Sequence, residues 1–180
     1  MSPDLLSPWA GCLQELDGLL DAPIELHCIG GFAVVAAYGL PRSTNDLDYI
    51  SLVSRNVAPD LERIAGEGSA LAKKHKVHVH RVTIATVPED YEERLTELFP
   101  KRFKNIRLLV LDAYDIVLSK LSRNIERDRQ DVEYLAKTCQ LDPSVLRERY
   151  EREFKPYLIG PPKRHDNALE FWIEAYFSQK

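Results

Sequence analysis

The chain has 180 residues, of which 44% are hydrophobic and 29% charged, and its formal net charge is −4. This composition predicts an ordinary globular domain, or a compact domain with a helical extension, that buries a sizeable core. The acidic balance disfavours a dedicated reader of duplex DNA, and the widely spaced Cys12, Cys28 and Cys139 exclude a zinc-ribbon pattern.

The first part of the chain alternates between helical and strand periodicity. Ser7 and Pro8 are typical of a helix start, and apolar residues then recur at helical spacing from Trp9 to Leu20. Short apolar stretches predict strands, an all-apolar stretch predicts a buried helix, and an amphipathic stretch after Pro59 predicts a longer helix. In chain order we predict a strand over 24–29, a buried helix over 32–38, a strand over 47–53 and a helix over 58–74.

The second part of the chain turns from strands to helices. Residues 77–85 alternate polar and apolar side chains and form the clearest strand pattern. Capping-box spacing from Thr86 to Glu89 predicts a helix that runs to Leu98, and residues 106–111 form a fourth candidate strand. Helices are predicted over 112–124, 126–138, 143–154 and 167–178, with a linker over 155–164.

Together these elements predict an α/β fold of the α+β type, in which a small mixed sheet is flanked by helices. We expect a core domain over 1–111 and a helical C-terminal region over 112–180 packed on that core. No secretory signal and no apolar run of membrane-spanning length is recognised. The expectation is therefore a cytoplasmic protein with no membrane partner.

One stretch combines residues suited to phosphate and metal chemistry. Gly30 and Gly31 lie between a strand and a helix, where the backbone can approach a ligand and the first helical N–H groups suit a phosphate. After that helix the chain returns to a strand that carries Asp46 and Asp48, and a period of two places both carboxylates on one face. Such a pair suits Mg²⁺, whose octahedral coordination substrate phosphates would complete.

These residues resemble the signature of the polymerase-beta-like nucleotidyltransferase superfamily, in which a Gly-Gly turn and a helix precede an acidic residue pair on the next strand. Arg42 and Thr44, just before the pair, also resemble the small AbiEii-like branch, which includes toxin nucleotidyltransferases. The resemblance covers roughly residues 24–138. It implies a nucleotidyltransferase fold, NTP as substrate, Mg²⁺ or Mn²⁺ as cofactor, and a tRNA or protein acceptor. It also raises a toxin–antitoxin or phage-defence role with a cognate antitoxin.

Residues 111–131 add to the resemblance. They are similar to the AbiEii-like helix pair, in which a lysine reaches the nucleotide phosphates and a Lys/Arg-Asp-x-x-Asp segment follows. The positions that match here are Lys120, Arg123, Asp128 and Asp131. The resemblance thus implies a catalytic and nucleotide-binding role for Lys120, and nucleotide binding by Arg123 and Asp128.

This chain departs from the superfamily in one respect. Active members usually carry a third carboxylate on a later strand, whereas the strand predicted over 77–85 contains no Asp or Glu. His78 and His80 stand where the acid is expected, and Glu89 and Asp90 lie just past the strand as poorer substitutes. His80 could ligate a metal or act as a base, and it could equally mark lost catalysis.

Plainer interpretations remain open for most of these residues. Asp46 could be a turn cap and Asp48 a solvated strand residue, while Arg42 could simply pair with either of them. Lys120 could lie on a helix surface, and Asp128 and Asp131 could pair with Arg127 or Arg129.

Three functions follow from these alternatives. The first is a nucleotidyltransferase. The second is a degenerate domain that binds nucleotide, RNA or a partner protein without turnover. The third is a structural or regulatory partner, which could form a homo-oligomer, that uses the aromatic C-terminal helix around Phe171, Trp172, Tyr176 and Phe177.

Overall fold

The computed structural model describes residues 8–54, 56 and 58–177. The chain divides into two compact units, Met1–Thr83 with Leu95–Val110 and Ile84–Arg94 with Leu111–Lys180. The two predicted domains, 1–111 and 112–180, differ from these units in where residues 84–94 fall, and they remain a prediction. Within the described residues, none of the helices has the length and apolar character that a bilayer crossing requires.

The first unit contains a five-stranded mixed sheet with strand order β3-β2-β1-β5-β4. Strands β1 and β2 are antiparallel, β1 and β5 are parallel, β2 and β3 are parallel, and β4 and β5 are antiparallel. The strands are β1 (Ile24–Ile29), β2 (Asp46–Ser54), β3 (His78–Arg81), β4 (Thr96–Leu98) and β5 (Ile106–Val110). Its helices are α1 (Trp9–Leu19), α2 (Gly30–Tyr38), α3 (Leu61–Ala65) and α4 (Ala70–His75).

This architecture confirms the predicted class, a small mixed sheet flanked by helices, and it is consistent with a nucleotidyltransferase-like fold. The predicted strands over 24–29, 47–53 and 106–111 and the buried helix over 32–38 are all present to within two residues. The predicted cap of the first helix at Ser7 lies outside the described residues.

A β-bulge sets which face of β2 carries its polar residues. Opposite β1, the register steps from Ser51 to Tyr49 between consecutive partners, so Ile50 is the extra residue. One inserted residue reverses the alternation of side chains. Asp46 and Asp48 therefore share a face with Ser51, while Leu47 and Tyr49 point to the other face and are buried.

A buried carboxylate ties α1 to the start of β5. Asp17 accepts hydrogen bonds from the backbone N–H groups of Lys104 (3.0 Å), Asn105 (2.6 Å) and Ile106 (3.0 Å). The amide of Asn105 returns a bond to the carbonyl of Asp17. Because burying a carboxylate is costly unless its oxygens are satisfied, these bonds explain how Asp17 is accommodated at 5% exposure.

The second unit is helical, as predicted. Its helices are α5 (Ala113–Leu121), α6 (Glu126–Thr138), α7 (Pro143–Arg149), which continues as a π-helical turn over Tyr150–Phe154, and α8 (Lys163–Trp172), which continues over Ile173–Phe177. A buried carboxylate, Asp115, accepts from Arg94 (2.9 and 3.1 Å) and Arg149 (3.0 Å). Arg94 also reaches Glu153 at 2.6 Å, so the segment before β4 is held to α5 and to the turn after α7.

Three local predictions were wrong. The helix predicted over 58–74 is broken into α3 and α4 by a turn over residues 66–69, and only 78–81 of the strand predicted over 77–85 is paired. The helix predicted from Thr86 to Leu98 is instead a 3-10 turn over Tyr91–Arg94 followed by β4. Pairing of β4 with β5 outweighs the capping-box signal, because local propensity is weak against tertiary hydrogen bonding.

The linker predicted over 155–164 also proved shorter. A 3-10 turn occupies Lys155–Tyr157, and α8 begins at Lys163 rather than at residue 167. Within this last helix, Trp172 is fully buried whereas Phe171 is 53% exposed. The aromatic segment is therefore partly core.

Candidate functional site

The turn between β1 and α2 requires glycine at its first position. Gly30 adopts φ = +69°, a left-handed conformation that other residues enter at a cost. A Cβ at Gly30 would lie 2.4 Å from Oδ2 of Asp48, which is closer than atoms can approach. The absent side chain thus lets the Asp48 carboxylate lie against the N-terminus of α2.

The two acids at the start of β2 are held by the segment before them. The hydroxyl of Thr44 donates to Oδ1 of Asp46 at 2.6 Å, and Thr44 is itself buried. The indole N–H of Trp9, at the start of α1, donates to the carbonyl of Thr44 at 3.2 Å. Asp46 and Asp48 are both half-buried, so their carboxylates are oriented by the fold and still reach solvent.

A cation lies next to the same helix start. A Cβ at Gly31 would lie 3.0 Å from Nη2 of Arg42 and 3.3 Å from Oγ1 of Thr44. The guanidinium of Arg42 therefore packs against the first turn of α2. Helix N–H groups and a guanidinium are both donors that suit phosphate oxygens.

Strand β3 brings two histidines beside the two acids. In the parallel register His78 is opposite Asp46 and His80 is opposite Asp48. Nδ1 of His80 lies 2.8 Å from Oδ1 of Asp48. This hydrogen bond is the main reason that the pKa of His80 is raised above its usual value, and the negative charges of Glu62 and Asp46 add to the effect.

Glu62 is a site neighbour that the sequence did not reveal. Its Oε1 accepts a hydrogen bond from the backbone N–H of Arg81 at 2.7 Å, so α3 holds the end of β3 next to His80. The two residues are 19 positions apart, and their contact depends on the break between α3 and α4. No local sequence signal could have predicted it.

The two carboxylates fit a metal ion whose coordination sphere a substrate would complete. Mg²⁺ is commonly held by one or two carboxylates together with phosphate oxygens, and Asp46 and Asp48 supply such ligands on one face of β2. Over residues 8–54, 56 and 58–177, no three His, Cys, Asp or Glu side chains are grouped as a metal site. Asp46 and Asp48 would therefore supply part of a coordination sphere, and the described residues form no closed cage.

The remaining predicted residues form a second group, in the helical unit. Nζ of Lys120 lies 2.7 Å from Oδ2 of Asp131 and 3.5 Å from Oδ1 of Asp128. Arg123 binds both oxygens of Asp128, at 2.7 and 2.8 Å. Lys120 is only 4% exposed and both acids are buried, whereas the side chain of Arg123 is 62% exposed.

Two of the plainer interpretations of this group were wrong. Lys120 does not lie on the surface. Asp128 pairs with Arg123, and Asp131 pairs with Lys120, where pairing with Arg127 or Arg129 had been the plainer interpretation. Lys120 comes from α5 and the two acids come from α6, while Arg123 lies in the short turn that joins these helices. A role of Lys120, Arg123 or Asp128 in nucleotide binding remains a prediction.

The structure thus gathers the predicted residues in two places. The first unit brings together Gly30, Gly31, Arg42, Thr44, Asp46, Asp48 and His80. The second unit brings together Lys120, Arg123, Asp128 and Asp131.

A comparison with protein families agrees with the geometry. Residues 12–179 match the family model described as "Nucleotidyltransferase of unknown function (DUF6036)". No curated protein and no solved structure shows a significant match to the chain. The match spans nearly the whole chain and includes both groups of residues.

Proposed function

We propose that this chain, which belongs to the family of nucleotidyltransferases of unknown function matched above, binds an NTP with Mg²⁺ or Mn²⁺ and transfers its nucleoside monophosphate to a hydroxyl. The acceptor hydroxyl belongs to RNA, such as tRNA, or to a protein. The observation that carries the proposal is the Asp48 carboxylate against the Gly30 turn, because a carboxylate that would suit a metal ion then lies beside helix N–H groups that would suit a phosphate.

In this proposal the first unit performs most of the binding. The turn at Gly30 and Gly31 and the first N–H groups of α2 cradle phosphate oxygens, and the guanidinium of Arg42 neutralises part of their charge. Thr44 keeps Asp46 in the orientation of a ligand. From the resemblance, Lys120, Arg123 and Asp128 are further nucleotide-binding residues.

The chemistry is an in-line displacement at the α-phosphorus. The acceptor oxygen forms a bond to this phosphorus, the bond to the bridging oxygen breaks, and pyrophosphate leaves. Asp46 and Asp48 would hold a divalent cation, which offsets the charge of the leaving group and makes the acceptor hydroxyl more acidic. His80 takes the hydroxyl proton, since Asp48 fixes its ring through Nδ1 and leaves Nε2 for this task.

A second candidate function also has support. Because the described residues contain no group of three His, Cys, Asp or Glu side chains that could hold a metal ion, the domain could bind a nucleotide, an RNA or a partner protein without turnover. Binding of Mg²⁺ and NTP with no release of pyrophosphate, in the presence of RNA and protein acceptors, would identify this alternative.

The biological role is an extension of the proposal by resemblance alone. If the chain acts as the toxin of a toxin–antitoxin or phage-defence pair, its expression should arrest growth and the Asp46→Asn variant should not. Normal growth with the active wild-type protein would exclude this role and leave the enzymatic proposal standing.

Calorimetry tests the proposal directly. We would titrate each of the four NTPs, with and without Mg²⁺, into the wild-type protein and into Asp46→Asn/Asp48→Asn. A matched control, Asp21→Asn/Glu67→Gln, removes two carboxylates that are exposed elsewhere in the same unit. We expect metal-dependent binding in the wild type and in the control, and none in the Asp46/Asp48 variant.

An activity assay completes the test. Labelled NTP should yield labelled acceptor and pyrophosphate with the wild type, and Asp46→Ala should abolish the transfer while its circular dichroism spectrum is unchanged. Transfer that persists in folded Asp46→Ala would show that the acid pair is not the site.

A further inference from the structure

Residues 73–81, Lys-Lys-His-Lys-Val-His-Val-His-Arg, combine four cations with three histidines, and we term this stretch the basic edge. The surrounding residues 68–88 contain no Asp or Glu, although the whole chain has 28 acidic residues and a net charge of −4. Positive charge is therefore concentrated locally in this stretch, although the chain as a whole is acidic.

The structure places this stretch on the end of α4 and on the edge strand β3. Helix α4 ends at His75, Lys76 turns the chain with φ = +62°, and β3 begins at His78. Because β3 is the outermost strand next to β2, its far side is not paired with another strand among the described residues. Lys73, Lys76, His80 and Arg81 are all exposed, while Val77 and Val79 are buried and anchor the edge to the core.

The cations of the basic edge differ in how far they are already neutralised. Lys74 binds Glu15 at 2.6 Å, so its charge is satisfied within the unit. Over the described part of the chain, no ion pair involves Lys73, Lys76 or the guanidinium of Arg81. Glu15 also lies 2.9 Å from the ring of His75, Asp48 binds the ring of His80, and Glu62 accepts a hydrogen bond from the backbone N–H of Arg81.

The basic edge leads directly to the acid pair. Its strand residues are the register partners of the candidate metal ligands, since His78 is opposite Asp46 and His80 is opposite Asp48. A polyanion that follows the edge would therefore end beside the carboxylates of β2. This placement distinguishes the basic edge from a charged surface elsewhere on the unit.

We propose that the basic edge binds the phosphodiester backbone of a single-stranded RNA and delivers its terminal hydroxyl to the acid pair. This inference rests on the proposed function and chooses its acceptor, RNA in preference to protein. Exposed cations and imidazole rings suit phosphates and stacked bases, whereas a protein acceptor would favour exposed apolar side chains, and the two valines of the edge are buried.

A structural explanation of the same charges must be separated from this one. Lysines on an edge strand also prevent two sheets from pairing edge to edge. That role predicts association of the protein when the charges are removed, and it predicts no affinity for RNA.

The test is direct RNA binding by the full chain, measured by fluorescence anisotropy with a labelled single-stranded RNA. The variant is Lys73→Glu/Lys76→Glu/Arg81→Glu. Its matched control is Lys101→Glu/Arg102→Glu/Lys104→Glu, which reverses three exposed cations of the same unit. These control residues precede Ile106, whose register partner Ile24 lies at the start of β1, roughly 20 Å along the strand from Gly30.

We expect the logarithm of the wild-type affinity for RNA to fall with the logarithm of the salt concentration with a slope of about −2, as three phosphate contacts would give. This slope corresponds to a roughly twentyfold loss of affinity between about 50 and 200 mM salt. The basic-edge variant should bind at least about tenfold more weakly than the wild type, and the control within about twofold. Equal losses in the two variants, or wild-type binding that salt does not weaken, would overturn the inference. So would selective labelling of a protein acceptor.

Calorimetry with NTP on the same proteins separates the two proposals. Intact NTP binding with no RNA binding in the wild type refutes the basic edge and leaves the proposed function. Absent NTP binding with basic-edge-dependent RNA binding refutes the nucleotide site instead. Should the triple variant fail to fold, Lys73→Gln/Lys76→Gln keeps Arg81 and should still weaken RNA binding several-fold; an unchanged affinity would again contradict the inference.

Discussion

Nδ1 of His80 lies 2.8 Å from Oδ1 of Asp48, and the two residues are register partners on the parallel strands β3 and β2. The histidine thus lies on the strand where the resemblance to the polymerase-beta-like superfamily led us to expect a third acid. A carboxylate that binds one ring nitrogen fixes the orientation of an imidazole and leaves the other nitrogen for a substrate. The pair consequently joins a candidate metal ligand to a candidate base.

If His80 is the base, its removal should affect the transfer rate more than nucleotide affinity. We predict that His80→Ala lowers the single-turnover rate of nucleotide transfer about 100-fold, because a positioned base contributes at least this much. His78→Ala is the control, since His78 is the register partner of Asp46 on the same strand. Rates that fall equally in both variants would indicate a general role of β3.

The conformation of Gly30 predicts a large effect of a single methyl group. Gly30→Ala should lower the free energy of unfolding by about 1–2 kcal/mol for the left-handed backbone, with a further loss from the clash with Asp48. It should also abolish Mg²⁺-dependent NTP binding, because Asp48 must move. Urea denaturation and calorimetry measure the two effects.

Gly18→Ala provides the matched control for this substitution. Gly18 lies in α1, where a Cβ would meet no atom within 4 Å. Alanine is favoured over glycine in a helix, so this variant should be up to about 1 kcal/mol more stable and bind NTP normally. Equal stability of the two alanine variants would contradict the close approach of Asp48 to the turn.

The buried pair of Lys120 and Asp131 predicts strong coupling between the two residues. Lys120→Met should lower the free energy of unfolding by about 3–5 kcal/mol, because it leaves the Asp131 carboxylate buried without its cation. Lys120→Met/Asp131→Leu should regain most of this loss. A double-mutant cycle in urea measures the coupling, and additive losses would show that the pair contributes little.

The carboxyl of Asp128 predicts a change of stability in acid. Burial raises its pKa, but the hydrogen bonds from Arg123 and the charge of Lys120 outweigh burial, so the net pKa lies below the usual 3.8. Because the pKa of Asp128 is lower in the folded state than in the unfolded state, its carboxylate contributes fully to stability at any pH above the pKa of the unfolded state. This contribution is lost as the pH falls through the pKa of the folded state.

We therefore expect the wild type to exceed Asp128→Asn in free energy of unfolding by a constant amount, roughly 1–3 kcal/mol, between about pH 5 and 8. Below about pH 4 the difference should shrink. Glu133→Gln, which removes a half-buried carboxylate paired with Lys137 on the same helix, is the control for the loss of a negative charge. Urea denaturation across this pH range measures both differences, and a difference for Asp128→Asn that grows in acid would contradict the direction of the shift.

Local physical rules account for the parts of the fold that were predicted correctly. Strands β1, β2 and β5 are short apolar stretches bounded by turn residues, and α2 is apolar on all sides because it is buried. The shared face of Asp46 and Asp48 follows from strand alternation alone.

Where two signals competed within a short segment, local rules failed. Thr86 to Glu89 has the spacing of a capping box, yet the chain beyond it pairs as β4 with β5. The long helix predicted over 58–74 divides at Gly66, where the chain turns before α4 begins. In the first segment the pairing with β5 decided the outcome, and a local pattern contains no information about such a contact. In the second segment the break coincides with local signals, since Gly66 ends α3 and Ser69 caps the start of α4.

The sequence by itself determined the glycine turn, the acid pair and the family to which they point, since each depends on residues that are neighbours in the chain. Only the tertiary structure decided that His80 faces Asp48, that Glu62 holds the end of β3, and that Lys120 is buried with Asp131. The reason is physical: strand register and helix packing minimise the free energy of the whole chain, so contacts between distant residues cannot be derived from one segment at a time.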